Sequence, residues 1–527
     1  MNQPLSHFLA TVVKTQRSED EEVLDQDVIK VSETVSVAAT AYETVRNSLE
    51  YDEEHLLRRN AIRRILKRSL SDGNTKQLSV DLLRELIWAR YLPNKEIPES
   101  MVPSIEKIME KYQVLLDEVE EGSKTGQQTY LWILDLLSTE IEYTLAPPLI
   151  DEALASFAYQ ELQERMVWSS DLISERDRDL QLYIAVHRTV LKSNRATLRF
   201  RILTLYYPEW VKANPSNSVV QEIARDLDTV IESVEHQISH PGSDSMFKLI
   251  RTHAVVFHVL RDIAADNPEA FEKALEMQDV TKLDAAISKA AKARYDKFNG
   301  RLRRMVMRAV FFLFLTKMIL ALIVELPYER IVLQETNYVP LLTNIFFHPI
   351  LLGIIGLSVR IPAKKNTEKI IEELHALFGG EDDFVVSFRV KRPWSSGPIR
   401  HVFNALYIAA FLIVIGFISA GLAAVHFNIL SIAFFILFLS LVTFFGLKIR
   451  NTKRELVIIE TAGGFVGTLV DVLFLPIIRA GRWISLRAPR INIFLFFFDF
   501  IVEAPFKGAI KMIEGWLAFL REKREEI

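Results

Sequence analysis

The first place where this chain could do chemistry is an ionisable side chain in the middle of an apolar stretch. Lys317 lies within Ala309–Val324, where Thr316 is the only other polar residue. An ammonium in hydrocarbon is costly, so such a residue usually faces a partner or a water path. Glu325, just past the stretch, and Asp471 and Glu503, in later apolar segments, are the carboxylates on offer. Asp499 joins them as a fourth charge among apolar neighbours. Lys317, Asp471, Asp499 and Glu503 together would suit an ion or proton pathway. The competing reading shifts the span so that Lys317 reaches water along its own stem. His348-Pro349, inside the next apolar segment, sets a titratable ring beside a helix break, as transporters do. A kinked structural helix explains the same dipeptide.

Two further groupings carry possible chemistry. His236 and His240 stand four apart beside Glu235, a spacing at which two imidazoles can share a metal. No HExxH pattern and no third ligand accompany them, so no metal site is assigned and no cofactor is expected. Arg58, Arg59, Arg63, Arg64, Lys67 and Arg68 form one basic face of a helix over 53–70, with Leu56, Leu57, Ile62, Ile65 and Leu66 opposite. Such a face could dock on anionic lipid or an acidic partner. Pairing with acidic helices of the same domain is the more ordinary outcome. Signatures of nucleotide binding or hydrolysis are missing: the sequence has no GxxxxGK[ST], GxSxG or GxGxxG. It also has no cysteine, which excludes disulfides, thiolate nucleophiles and cysteine-ligated metals.

The elements that must position these residues divide near residue 300. Residues 1–300 carry a net charge of −13 and residues 301–527 a net of +9. An acidic first half argues against nucleic acid as a partner. A basic, apolar second half fits a membrane module with cationic inner flanks. In the first half, apolar residues recur at helical spacing between Pro and Gly breaks, as with Leu131, Leu134, Leu137, Ile141 and Leu145. About ten helices without a fixed repeat predict an irregular bundle, whose last helix, over 281–300, runs on into the membrane.

Four apolar segments follow: 305–326, 338–359, 405–425 and 430–447. Basic residues Arg301, Arg303, Arg304 and Arg308 precede the first. Lys364, Lys365 and Lys369 follow the second, and Lys448, Arg450 and Arg454 follow the fourth. That distribution places both termini and the 361–400 loop in the cytoplasm. The loop is expected to hold a short helix, around 368–378, and a strand at 384–390. After 450, polar residues recur at spacings of three, four and seven, as in Asn492, Asp499 and Glu503. This predicts two amphipathic interfacial helices; six spans are the alternative. The expected fold class is therefore all-α: a cytoplasmic helical bundle (1–300), spans at 301–360 and 401–450, and C-terminal helices over 451–527. The expected setting is multi-pass in a membrane, compatible with a prokaryotic inner membrane and without a signal peptide. Partners compatible with this reading are the bilayer, a cytoplasmic protein and a second copy of the chain.

Overall fold

The computed structural model describes residues 3–20, 27–33, 54–70, 75–120, 122–334, 337–379, 385–389 and 398–459, with single positions elsewhere. Asp471, Asp499 and Glu503, and the helices expected after residue 459, lie outside the described residues. The described chain is all-helical apart from two short strands. It divides into two compact units.

One unit comprises Gln3–Glu164 and Asp171–Lys248. Its helices are α1 (Gln3–Asp20), α2 (Glu54–Ser69), α3 (Thr75–Trp88), α4 (Met101–Leu116), α5 (Lys124–Leu145), α6 (Leu149–Glu164), α7 (Arg178–Thr189), α8 (Arg195–Tyr206), α9 (Ser218–Arg225) and α10 (Leu227–Ile238). The central one is α5, started by Ser123, whose hydroxyl accepts from the Gly126 amide at 2.8 Å. It touches α2, α4 and α8, which explains why its burial is broader than a single stripe. Trp132, Ile133 and Leu136 are buried along with the expected Leu134, Leu137 and Ile141. Leu131 and Leu145 lie half-buried at the edge.

The other unit holds Arg165–Ser170 and Leu249–Arg490. Helices α11 (Ser243–Asp266) and α12 (Pro268–Glu276) lead to α13, Val280–Leu320, capped by Asp279, whose carboxylate accepts from the Lys282 amide at 3.2 Å. This helix does not end where the apolar stretch ends. It passes into wide π turns at Ala321–Glu325 and Tyr328–Leu333. Between the two wide turns stands Pro327, which has no N–H to give and would clash within a regular α-helix. The result is a 54-residue helix, Val280–Leu333, on the order of 80 Å long. The helix thus runs past residue 326, where the first apolar segment was expected to end, and continues through Leu333. Next come α14 (Tyr338–Leu357), α15 (Ala363–Gly379), α16 (Pro398–Ala424) and α17 (Ile429–Thr452).

Among the described residues, three helices are long and apolar enough to cross a membrane: Val280–Leu333, Tyr338–Leu357 and Ile429–Glu455. Ile408–Ala424, within α16, is a shorter apolar helix. Their outward faces are apolar: Ile413 is 71% exposed, Phe417 82% and Ile429 84%. Exposed surface of that kind and extent is suited to acyl chains.

Helix α14 lies between α13 and α17, and glycines set both approaches. A Cβ on Gly356 would stand 2.5 Å from Val306, and one on Gly446 would stand 2.9 Å from Ile355. Small residues let backbones come close where no hydrophobic force joins helices in lipid. Gly356→Val is therefore expected to lower the unfolding temperature in detergent, with a loss of about 1–3 kcal/mol from overpacking. An unchanged melting curve would show that the helices separate freely there.

The strand expected at 384–390 is present as β2, Val386–Phe388. It pairs in parallel with β1, Met166–Trp168, a strand with no visible signature of its own. The Trp168 and Phe388 rings meet at 5.5 Å. Nearby, Asn366 ties three stretches together: its amide nitrogen donates to Tyr295 Oη at 2.8 Å and the Leu456 carbonyl at 2.7 Å. Its oxygen accepts from the Ile458 amide at 2.8 Å.

Candidate functional site

The densest group of buried polar side chains among the candidate spans surrounds Lys317. Lys317 is fully buried on α13, Asn344 and His348 on α14, and Ser431 on α17. The π turn after α13 swings Glu325 inward, and its exposure is 1%. π turns recur at functional positions because they re-aim one side chain without breaking the helix.

Lys317 Nζ donates to Asn344 Oδ1 at 2.9 Å and lies 4.0 Å from the centre of the Phe438 ring. Asn344 Nδ2 faces both Glu325 oxygens at 3.1 Å and the Ser431 carbonyl at 3.2 Å. The Ser431 hydroxyl donates to Glu325 Oε2 at 3.3 Å. Asn344 therefore relays between ammonium and carboxylate, its oxygen towards the cation and its nitrogen towards the anion. Lys317 spends one of three N–H donors this way and has no other acceptor among the described residues.

A turn further along, Glu329 is also buried and sits where two helices begin. Asn428, the cap of α17, donates its side-chain N–H to Glu329 Oε1 at 2.9 Å. The backbone N–H of Asn337, the cap of α14, donates to Glu329 Oε2 at 3.3 Å. Both positive helix ends thus meet one carboxylate. Asn428 Oδ1 also accepts from the Ser431 amide at 2.8 Å, so a hydrogen-bonded file runs Glu329–Asn428–Ser431–Glu325–Asn344–Lys317. His348, one turn from Asn344, has Nε2 at 2.9 Å from the Phe435 carbonyl and Nδ1 at 3.3 Å from the Asn344 carbonyl. A neutral imidazole has one N–H and satisfies one of these carbonyls; an imidazolium satisfies both.

Asn344, Ser431, Asn428 and Glu329 were not singled out by charge and motif. One signal was available: Asn344 and His348 share a face four apart in an apolar run.

The other candidates are dispersed. On α2, Arg58 pairs with Glu142 at 2.7 Å, Arg63 with Asp135, Arg64 with Glu43 and Arg68 with Glu85, each at 2.6 Å. Arg59 lies 3.6 Å from Asp135. Of the six basic residues, Lys67 alone has no partner among the described residues. Burial raises the Glu142 carboxyl above its ordinary pKa, against the opposing pull of Arg58. His236 and His240 lie ring to ring at 6.3 Å, and His240 Nδ1 accepts from the Gly242 amide at 3.0 Å. Burial lowers the His240 pKa. Glu235 is taken by Trp132, Arg195 and Arg199. Among the described residues, no three His, Asp or Glu side chains gather as metal ligands.

Comparison with protein-family models, curated proteins and solved structures finds no match to this chain.

Proposed function

We propose that this protein is a membrane-anchored helical scaffold, which holds a cytosolic interaction domain at the bilayer. The observation that carries this reading is the unbroken helix Val280–Leu333. Its first turns are packed through Leu283, Ile287 and Ala291, and its last part is apolar and outward-facing. Within its own unit this helix carries the chain from a packed start into the apolar segment without a break. In this reading the polar file around Lys317 is a lock that fixes the register of α13, α14 and α17. Helix α16 adds a fourth crossing, the positively charged flanks keep both termini inside, and a second copy of the chain is an admissible partner.

Cross-linking in native membranes, followed by purification of the full chain, is expected to recover a cytosolic protein joined at residues 75–248. Recovery of lipid and further copies of this chain alone would overturn the scaffold reading.

A second reading, a transporter or channel component, is favoured by one observation. The file of buried polar groups starts at two helix ends and reaches Lys317 without a gap. Proton or ion movement along such a file needs groups that exchange charge states, and Glu329, Glu325, Lys317 and the nearby His348 are of that kind.

A further inference from the structure

The helical unit contains a cleft of about 400 Å³ between α6, α7 and α8, far along the chain from the apolar segments. Its wall is aromatic. Tyr159 and Tyr183 meet edge to face at 6.2 Å, and the Tyr183 ring stands 4.1 Å from the His187 imidazole. His187 is 3% exposed, and its Nδ1 is buried with no hydrogen-bond partner among the described residues. Native proteins rarely leave such a nitrogen unpaired unless a water or ligand completes it. Burial holds the His187 pKa down at about 3, so the ring is neutral throughout the physiological range.

Charge is confined to the rim. Asp179 is exposed there and already accepts from Gln163 Nε2 at 3.0 Å. Gln160 and Ser156 complete the mouth with neutral hydrogen-bonding groups. The volume is at the small end of ligand sites, which run from about 300 to 1,000 Å³. Aromatic walls, a neutral buried imidazole and amide and hydroxyl groups at the entrance suit a flat molecule with ring nitrogens. They offer little to an ion, whose hydration the deep end could not replace.

We propose that this cleft binds an uncharged planar heteroaromatic molecule of one or two fused rings, held against Tyr159 and Tyr183 and hydrogen-bonded to His187. The site is independent of the polar file around Lys317 and of either reading of it.

The test is calorimetric titration of the detergent-solubilised full chain with adenine and, separately, with indole. At least one is expected to bind with a Kd below about 1 mM, equally well at pH 5.5 and pH 8. Ser156→Trp, at an exposed position of the mouth, should weaken binding by about tenfold or more without moving the melting temperature. His187→Phe should weaken it by a similar factor. Failure of both probes to bind would overturn the proposal. So would binding that Ser156→Trp leaves unchanged, or binding of tetramethylammonium in preference to either ring.

Discussion

Replacing Lys111 by methionine is expected to cost the helical unit about 3–5 kcal/mol, the usual penalty for stranding one member of a buried ion pair. Lys111 is 1% exposed, and its ammonium touches Glu140 at 2.5 Å and the Trp210 carbonyl at 2.9 Å. Glu140 Oε2 also accepts from Tyr112 Oη at 2.8 Å and Trp210 Nε1 at 2.9 Å. Methionine keeps the stem's packing but removes the one cation paired with that carboxylate among the described residues. Burial lowers the Lys111 pKa below its ordinary value, although Glu140 pulls it upward. Desolvation is thus the largest influence, and the pair contributes less to stability than its short contact suggests. Glu140→Gln should also be costly, for a different reason. Lys111 needs an acceptor and so do Tyr112 and Trp210, but glutamine offers one oxygen and presents an N–H to the other side. Denaturant unfolding of the two variants checks both statements. A loss below about 1 kcal/mol for Lys111→Met would mean that water reaches the pair in solution.

Lys111 also shows where reading a sequence stops. In EKYQVLL it resembles any surface lysine, because its partners, Glu140 and Trp210, are 29 and 99 residues away. The basic face of α2 was legible as a face, since helical spacing alone groups those side chains. Its carboxylate partners were not, because Arg58 and Glu142 are 84 residues apart and meet only when α2 lies on α5. The apolar helices were legible for a simple reason: a span needs about 20 apolar residues in succession, a property of local sequence. Lys317 stood out for the same reason. The continuation through Glu325 and Glu329 was hidden, since Pro327 and two carboxylates normally signal an exit. Three caps and amides on other helices reverse that expectation, each supplying an N–H that a loop would have taken from water. Strand β1 was hidden as well, because three residues pairing with a segment over 200 positions away leave no period to detect.

The polar file permits a stability cycle that separates its two readings. Lys317→Met should destabilise the detergent-solubilised chain by about 3 kcal/mol or more, since Glu325 would then keep an uncompensated charge among apolar helices. Glu325→Gln alone should also destabilise it, leaving the ammonium with Asn344 and the Phe438 face only. The double variant Lys317→Met/Glu325→Gln should recover most of the loss, because a neutral pair of similar volume asks for no desolvated charge. Asn344→Leu should resemble the single variants, as it removes the amide that joins both charges. A thermal melt of the native chain and these four variants measures the coupling, and additive losses for the first two would show that Lys317 and Glu325 do not sense each other. Function is read on the double variant, which is folded by this argument. In the scaffold reading it still anchors its cytosolic partner, and proteoliposomes containing the native chain pass no more protons or ions than empty ones. In the transport reading the native chain conducts, and the double variant, sound in structure but with no exchangeable charge in the middle of the file, does not.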